Sequence, residues 1–231
     1  MNICMTIRTA LSTSSKTKSV AACSWGWDLG KSVSTLTAIS DLQDSFAINK
    51  VLVIAPLRVA NSTWAQEVEK WGHLKHLKVS VCTGPEKARR SALHREADVY
   101  VINRENVVWL VDLYKKKWPF DCVVVDESSS MKNPSAKRFR ALKKVLPYTN
   151  YMVLLTGTPS PNSLMDLWPQ MYLIDFGESL GRTITGYRQR FFEQDFMGYR
   201  YTIREGCADK IHNLISDRVI SMSAEDYLDL P

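Results

Sequence analysis

The sequence predicts an α/β domain built on a mainly parallel sheet, and three observations carry that expectation. Short, continuously apolar runs recur along the chain: Val51-Leu52-Val53-Ile54-Ala55, Val99-Tyr100-Val101-Ile102, Cys122-Val123-Val124-Val125 and Met152-Val153-Leu154-Leu155. Runs without polar alternation are expected of strands buried on both faces of a parallel sheet. They alternate with helix-like stretches, an order that implies crossover connections and helices on both faces. Several of these strands also end in chemically active residues, where ligands sit in an open parallel sheet.

In chain order, Ser32 to Leu42 predicts a helix with Val33, Leu36, Ile39 and Ser40 on one side. The strand from Val51 stops at Pro56. Thr63 to Trp71 predicts a helix with charges on one face, and Leu77 to Cys82 a strand. The strand from Val99 leads to a helix over Arg104 to Tyr114. The last two strands are separated by a basic helix, Ala136 to Val145. Beyond Pro161 the pattern predicts a helical, aromatic-rich extension through Trp168, Tyr172, Phe176, Tyr187 and Phe191-Phe192. The start is poorer: Ser12 to Ser19 is a Ser/Thr/Lys stretch, and no buried strand is expected ahead of Gly30. The chain therefore divides into a doubtful segment, 1–29, and a domain, 30–231, whose end at Ser223 to Pro231 looks like a cut in a linker.

Composition narrows the class. At 231 residues, 45% hydrophobic and 23% charged, the chain has the balance of a globular domain with a substantial core. No apolar run approaches the ~20 residues needed to cross a bilayer, and the N-terminus lacks the blocks of a signal peptide, so no membrane partner is expected. The five cysteines (Cys4, Cys23, Cys82, Cys122, Cys207) are scattered singly. That pattern fits reduced, buried or incidental thiols in a cytosol better than a zinc site or a disulfide framework. A formal charge of +6 permits a phosphate-bearing partner, or simply a basic surface.

The strand from Cys122 runs into Asp126-Glu127-Ser128-Ser129. Adjacent carboxylates there can divide their work, Asp126 holding Mg²⁺ and Glu127 activating a water, or can form an ordinary polar turn. The strand from Met152 ends Leu155-Thr156-Gly157-Thr158-Pro159, small residues that let a neighbouring loop approach closely. Arg58, just past the Val51 strand, stands where it can meet a nucleic-acid phosphate or remain solvated. Gly30-Lys31-Ser32 opens a helix, as the tail of a phosphate loop does, with Lys31 toward phosphates and the Ser32 hydroxyl toward a metal.

Taken in order, Gly30-Lys31-Ser32, Ile54-Ala55-Pro56, Asp126-Glu127-Ser128-Ser129 and Leu155 to Pro159 resemble motifs I, Ia, II and III of superfamily two helicases. Lys132-Asn133, Leu167-Trp168 and Tyr187-Arg188 with Phe191-Phe192 make the chain similar to the Swi/Snf branch, and within it to the phage-encoded members. The resemblance implies a RecA-like three-layer sandwich, here its first lobe, with ATP and Mg²⁺ as ligands and double-stranded DNA as partner. By position it implies Gly30, Lys31 and Ser32 for phosphate, Ser32 and Asp126 for metal, and Glu127 as base. Thr156, Gly157 and Thr158 take the coupling role. A second RecA-like lobe, expected beyond this chain, would complete the site with arginines.

One stretch departs from the family. Where a glycine is expected three places before the lysine stands Asp28, and Trp25 replaces the first glycine of the phosphate loop. A carboxylate about 4 Å from a phosphate charge costs about 4 kcal/mol at an effective dielectric of about 20. A shifted reading frame accounts for both departures. Tryptophan has the single codon tgg, so a two-base shift turns Trp25-Gly26 and Trp27-Asp28 each into glycine, spaced Gly-x-Gly, whatever the other codons. Two functions therefore stand: an ATP-binding lobe of a DNA-dependent translocase, inactive alone, or a non-catalytic nucleic-acid- or partner-binding module with a degenerate RecA-like fold.

Overall fold

A computed structural model describes residues 20–24, 30–157, 164–196 and 200–222, with the backbone alone for 20–24 and 220–222. Seven strands form one parallel sheet: β1 (Val20–Ser24), β2 (Val51–Ala55), β3 (Val79–Cys82), β4 (Val99–Asn103), β5 (Cys122–Val125), β6 (Tyr151–Thr156) and, near the end, β9 (Val219–Met222). Their order across the sheet is β3-β4-β2-β5-β6-β1-β9. The interleaved helices are α1 (Lys31–Asp44), α2 (Leu57–Asn61), α3 (Thr63–Lys70), α4 (Glu86–His94), α5 (Val107–Tyr114) and α6 (Lys137–Val145). The extension adds α7 (Leu167–Asp175), α8 (Ile184–Phe191), an antiparallel hairpin β7 (Phe192–Gln194) and β8 (Tyr201–Ile203), and α9 (Cys207–Ile215).

The apolar runs are strands because both of their faces are covered. Val51, Val53, Ala55, Val99, Val101, Val124 and Val153 face a core made with Leu36 and Ile39 of α1, Ala60 of α2 and Trp64 and Val68 of α3. Leu52, Ile54, Ile102, Val123, Val125 and Leu154 face the opposite core, closed by α4 to α9. The result is the expected three-layer sandwich, and the extension thickens one layer. Its aromatic residues are mostly core: Trp168, Tyr172, Tyr187, Phe191 and Phe192 are buried, whereas Phe176 is exposed at a left-handed residue ending α7. The Trp168 indole donates to the Gly181 carbonyl at 2.8 Å, and the Tyr187 hydroxyl donates to the Leu164 carbonyl at 2.7 Å.

Several elements differ from expectation. A strand does precede Gly30: β1 lies parallel between β6 and β9, Val20 opposite Val153 and Ala21 opposite Val219. Its run is short and small, so its place depends on partners more than a hundred residues away. The extension is not purely helical, since it forms the hairpin and returns β9 to the main sheet. Helix α4 shows little periodicity because only Ala92 and Leu93 are buried among its charges. The Arg104 helix opens with a 3₁₀ turn, Arg104–Asn106. There the Asn103 amide donates to Glu105 at 2.8 Å and the Asn106 amide donates to the Asn103 side-chain oxygen at 2.5 Å.

Candidate functional site

The carboxyl ends of β5 and β6 and the start of α1 meet in one place. Gly30 takes a left-handed conformation (φ 66°) that glycine adopts without strain, and its carbonyl accepts the Ser34 N–H at 2.9 Å. The N–H groups of Lys31, Ser32 and Val33 precede the first helical bond, so the end of α1 favours an anion. Lys31 reaches across to β6: a Cβ added at Gly157 would stand 3.4 Å from its Nζ. The Lys31 ammonium group thus lies next to Gly157, at ordinary contact distance even from an added Cβ.

Asp126 continues β5, its N–H donating to the Ile54 carbonyl at 2.7 Å. Both oxygens of its carboxylate are held. Oδ1 accepts the Glu127 N–H at 3.0 Å, and Oδ2 accepts the indole N–H of Trp64 at 3.3 Å. Burial, and then the charge of Glu127, push the Asp126 carboxyl above its ordinary range, while the Trp64 hydrogen bond and the Lys31 charge oppose them. Lys31 and Asp126 are therefore close enough to influence each other.

Glu127 is exposed and left-handed (φ 56°, ψ 55°), a conformation that costs a non-glycine residue about 1–2 kcal/mol. The strained turn directs the chain out of β5 into a 3₁₀ segment, Ser128–Met131. It is anchored from below: buried Ser128 donates to the Gln170 side-chain oxygen at 2.9 Å, tying the acidic turn to α7. Thr156 is buried at the end of β6. Thr158, the loop residues 25–29 with Asp28, and the chain beyond 222 lie outside the described residues. Arg58 is exposed on α2, past the end of β2. That helix packs against β4, after which Arg104 pairs with Glu105 at 3.1 Å.

Among the described residues no group of three His, Cys, Asp or Glu side chains could enclose a metal ion. A single carboxylate beside a helix end that favours an anion is nevertheless the donor set Mg²⁺ uses when phosphates and waters complete its shell. The residues present thus fit Mg²⁺ with a nucleoside triphosphate. Sequence reasoning missed Trp64 and Gln170. Trp64 reads as one more apolar residue of a helix, and no local signal marks Gln170 as the anchor of a turn 42 positions earlier.

The chain matches known proteins over most of its length. The model of the SNF2-related domain matches residues 27–226. A putative protein of Acyrthosiphon pisum secondary endosymbiont phage 1 is 41% identical over 216 residues, covering 89% of this chain and 47% of that protein. An uncharacterized ATP-dependent helicase of Mycoplasma pneumoniae is 35% identical over 144 residues, or 61% of this chain and 13% of that protein. Among solved structures, the Sulfolobus solfataricus SWI2/SNF2 ATPase core in complex with double-stranded DNA matches with a TM-score of 0.78 at 23% identity. That match covers 99% of this chain and 45% of the other, so the chain spans about half the length of the phage relative and of the archaeal core. With the family model covering most of its length, the chain belongs to the SNF2-related domain family.

Proposed function

We propose that residues 30–231 form the first ATP-binding lobe of a DNA-dependent translocase of the Swi/Snf type, active only with a second RecA-like lobe. The observation that carries the reading is the convergence of Lys31, Asp126 and Gly157 at one sheet edge. In this reading the N–H groups of α1 and the Lys31 ammonium bind the β- and γ-phosphates, and Ser32 and Asp126 hold Mg²⁺. When bound, Mg²⁺ neutralises phosphate charge. Glu127, exposed beyond Asp126, takes a proton from the water that attacks the γ-phosphorus. Thr156, Gly157 and Thr158 link the nucleotide to the DNA side, where Arg58 contacts backbone phosphate. Support for duplex DNA as the partner comes from the Sulfolobus neighbour, which is a complex with double-stranded DNA. No helix among the described residues is long and apolar enough to cross a membrane, and the phage relative supports action in the cytoplasm of an infected bacterium.

The phosphate loop decides between this reading and a binding module without ATP. Nucleotide affinity of the present chain, compared with a Trp25→Gly/Asp28→Gly variant, tests it. Removing about 4 kcal/mol of repulsion should tighten Mg·ATP binding on the order of several hundredfold. Unchanged, negligible binding in both chains would favour the binding module.

The same residues give a prediction about the gene. β1 removes the missing strand as a reason to suspect the frame and leaves the two forced glycines as the support. Sequencing across the codons of Val20 to Thr35 should find one base gained or lost in an A-rich run at Gly30-Lys31. An unaltered frame in independent isolates would show the loop to be truly diverged.

A further inference from the structure

We infer that Trp64 is the positioning residue of the metal-site carboxylate, setting the orientation in which Asp126 meets a divalent cation. The inference rests on the reading of Asp126 as a metal ligand. Trp64 is fully buried in the first turn of α3, and a buried indole N–H needs an acceptor. Its acceptor is Asp126 Oδ2, across 62 residues of sequence, at 3.3 Å. With Oδ1 held by the Glu127 N–H and the backbone N–H donating to the Ile54 carbonyl, the residue is fixed at three points, two of them on its carboxylate. A carboxylate has about four lone-pair directions, so each oxygen keeps one for a metal or its water.

The choice of donor matters. A lysine or arginine at position 64 would cancel the charge that attracts the cation. An indole N–H holds one carboxylate oxygen by a hydrogen bond and brings no charge of its own. Trp64 also packs in the core that holds Leu36 and Ile39 of α1, the helix that begins at Lys31. One rigid side chain thereby keeps a fixed relation between the phosphate-side helix and the metal-side carboxylate, and its helix follows directly on α2, which carries Arg58. Outer partners of this kind fix ligand geometry, and their removal typically costs 10–100-fold in metal affinity.

The test uses Mn²⁺ alone as a paramagnetic probe, with the full chain and NMR detection. The chain has seven tryptophans, so Trp64→Phe should delete one of seven indole N–H resonances and leave the other six in place, which also reports an intact fold. In the wild type, Mn²⁺ should broaden the Trp64 indole and the Glu127 amide together, and Asp126→Asn should abolish both effects. Trp64→Phe should then require about tenfold more Mn²⁺ to broaden the Glu127 amide. If Asp126→Asn weakens broadening and Trp64→Phe does not, the positioning role is overturned while the metal site stands. If Asp126→Asn leaves broadening unchanged, the metal-site reading fails, and the inference with it. Should Trp64→Phe unfold, the backbone-assigned Trp64 indole of the wild type decides. A resonance left sharp by Mn²⁺ and unmoved by Asp126→Asn overturns the assignment; broadening and displacement together uphold it.

Discussion

Replacing Asp175 by alanine should destabilise the protein by about 3–5 kcal/mol, because it leaves buried groups without their partner. Asp175 ends α7 with its side chain fully buried. Oδ1 accepts the N–H groups of Gly177 and Glu178 at 2.8 and 3.1 Å, and Oδ2 accepts the Ser179 N–H at 2.9 Å. The same Oδ2 receives Arg218 at 2.8 Å, and Arg218 also reaches Glu178 at 3.1 Å. These bonds close a turn that includes two left-handed residues, Phe176 and Gly177. A side chain at Gly177 would come within 2.5 Å of the Gly181 carbonyl oxygen, so the turn has no alternative packing. For a chain of this size the loss corresponds to a fall of about 6–20 °C in melting temperature. Asp175→Asn keeps the shape and one acceptor oxygen and should lose less. Arg218 directly precedes β9, so hydrogen exchange at Val219–Met222 should accelerate before the rest of the sheet. A melting temperature of Asp175→Ala within 2 °C of wild type would show that water replaces the carboxylate without loss.

Much of the fold is legible where burial leaves a local mark. Val51 to Ala55 and Cys122 to Val125 are apolar on both faces because both faces meet helices. β1 and β9 leave no such mark. Val20-Ala21-Ala22-Cys23 becomes a strand only because β6 and β9 present free edges to it, a pairing that local pattern does not encode. Helix α4 leaves a weaker mark for another reason: Glu86, Lys87 and Arg90 face solvent, half-buried Arg89 stacks on Trp109 at 4.3 Å, and only Ala92 and Leu93 are buried.

The site divides in the same way. Lys31, Asp126 and Gly157 are visible in sequence because chemistry restricts what can stand at a helix start or a strand end. Their mutual approach follows once the strands are parallel, with β1 and β6 side by side and β5 next to β6. Trp64 is invisible by contrast, because its function depends on where one N–H points, and an apolar helix position looks the same with or without that bond.

In a protein carrying the glycine loop and a second lobe, Glu127→Gln should lower the rate of ATP hydrolysis by about 10²–10⁴-fold while changing ATP affinity little. Glu127 lies one residue past Asp126, exposed on a left-handed turn that keeps its side chain off the sheet. A carboxylate exposed there is available to a water, whereas each oxygen of half-buried Asp126 already accepts one hydrogen bond, from Trp64 or from the Glu127 N–H. Glutamine keeps the size and the hydrogen-bonding capacity and removes the base, so the loss belongs to turnover. Lys31→Ala should divide the other way. Its ammonium group lies beside Gly157 at the start of α1, and deleting it should weaken ATP binding at least tenfold, or about 1.4 kcal/mol. DNA-stimulated phosphate release and nucleotide affinity, measured on both variants, separate the two roles. Near wild-type hydrolysis by Glu127→Gln would remove it as the base, and equal loss of binding in both variants would make its role structural.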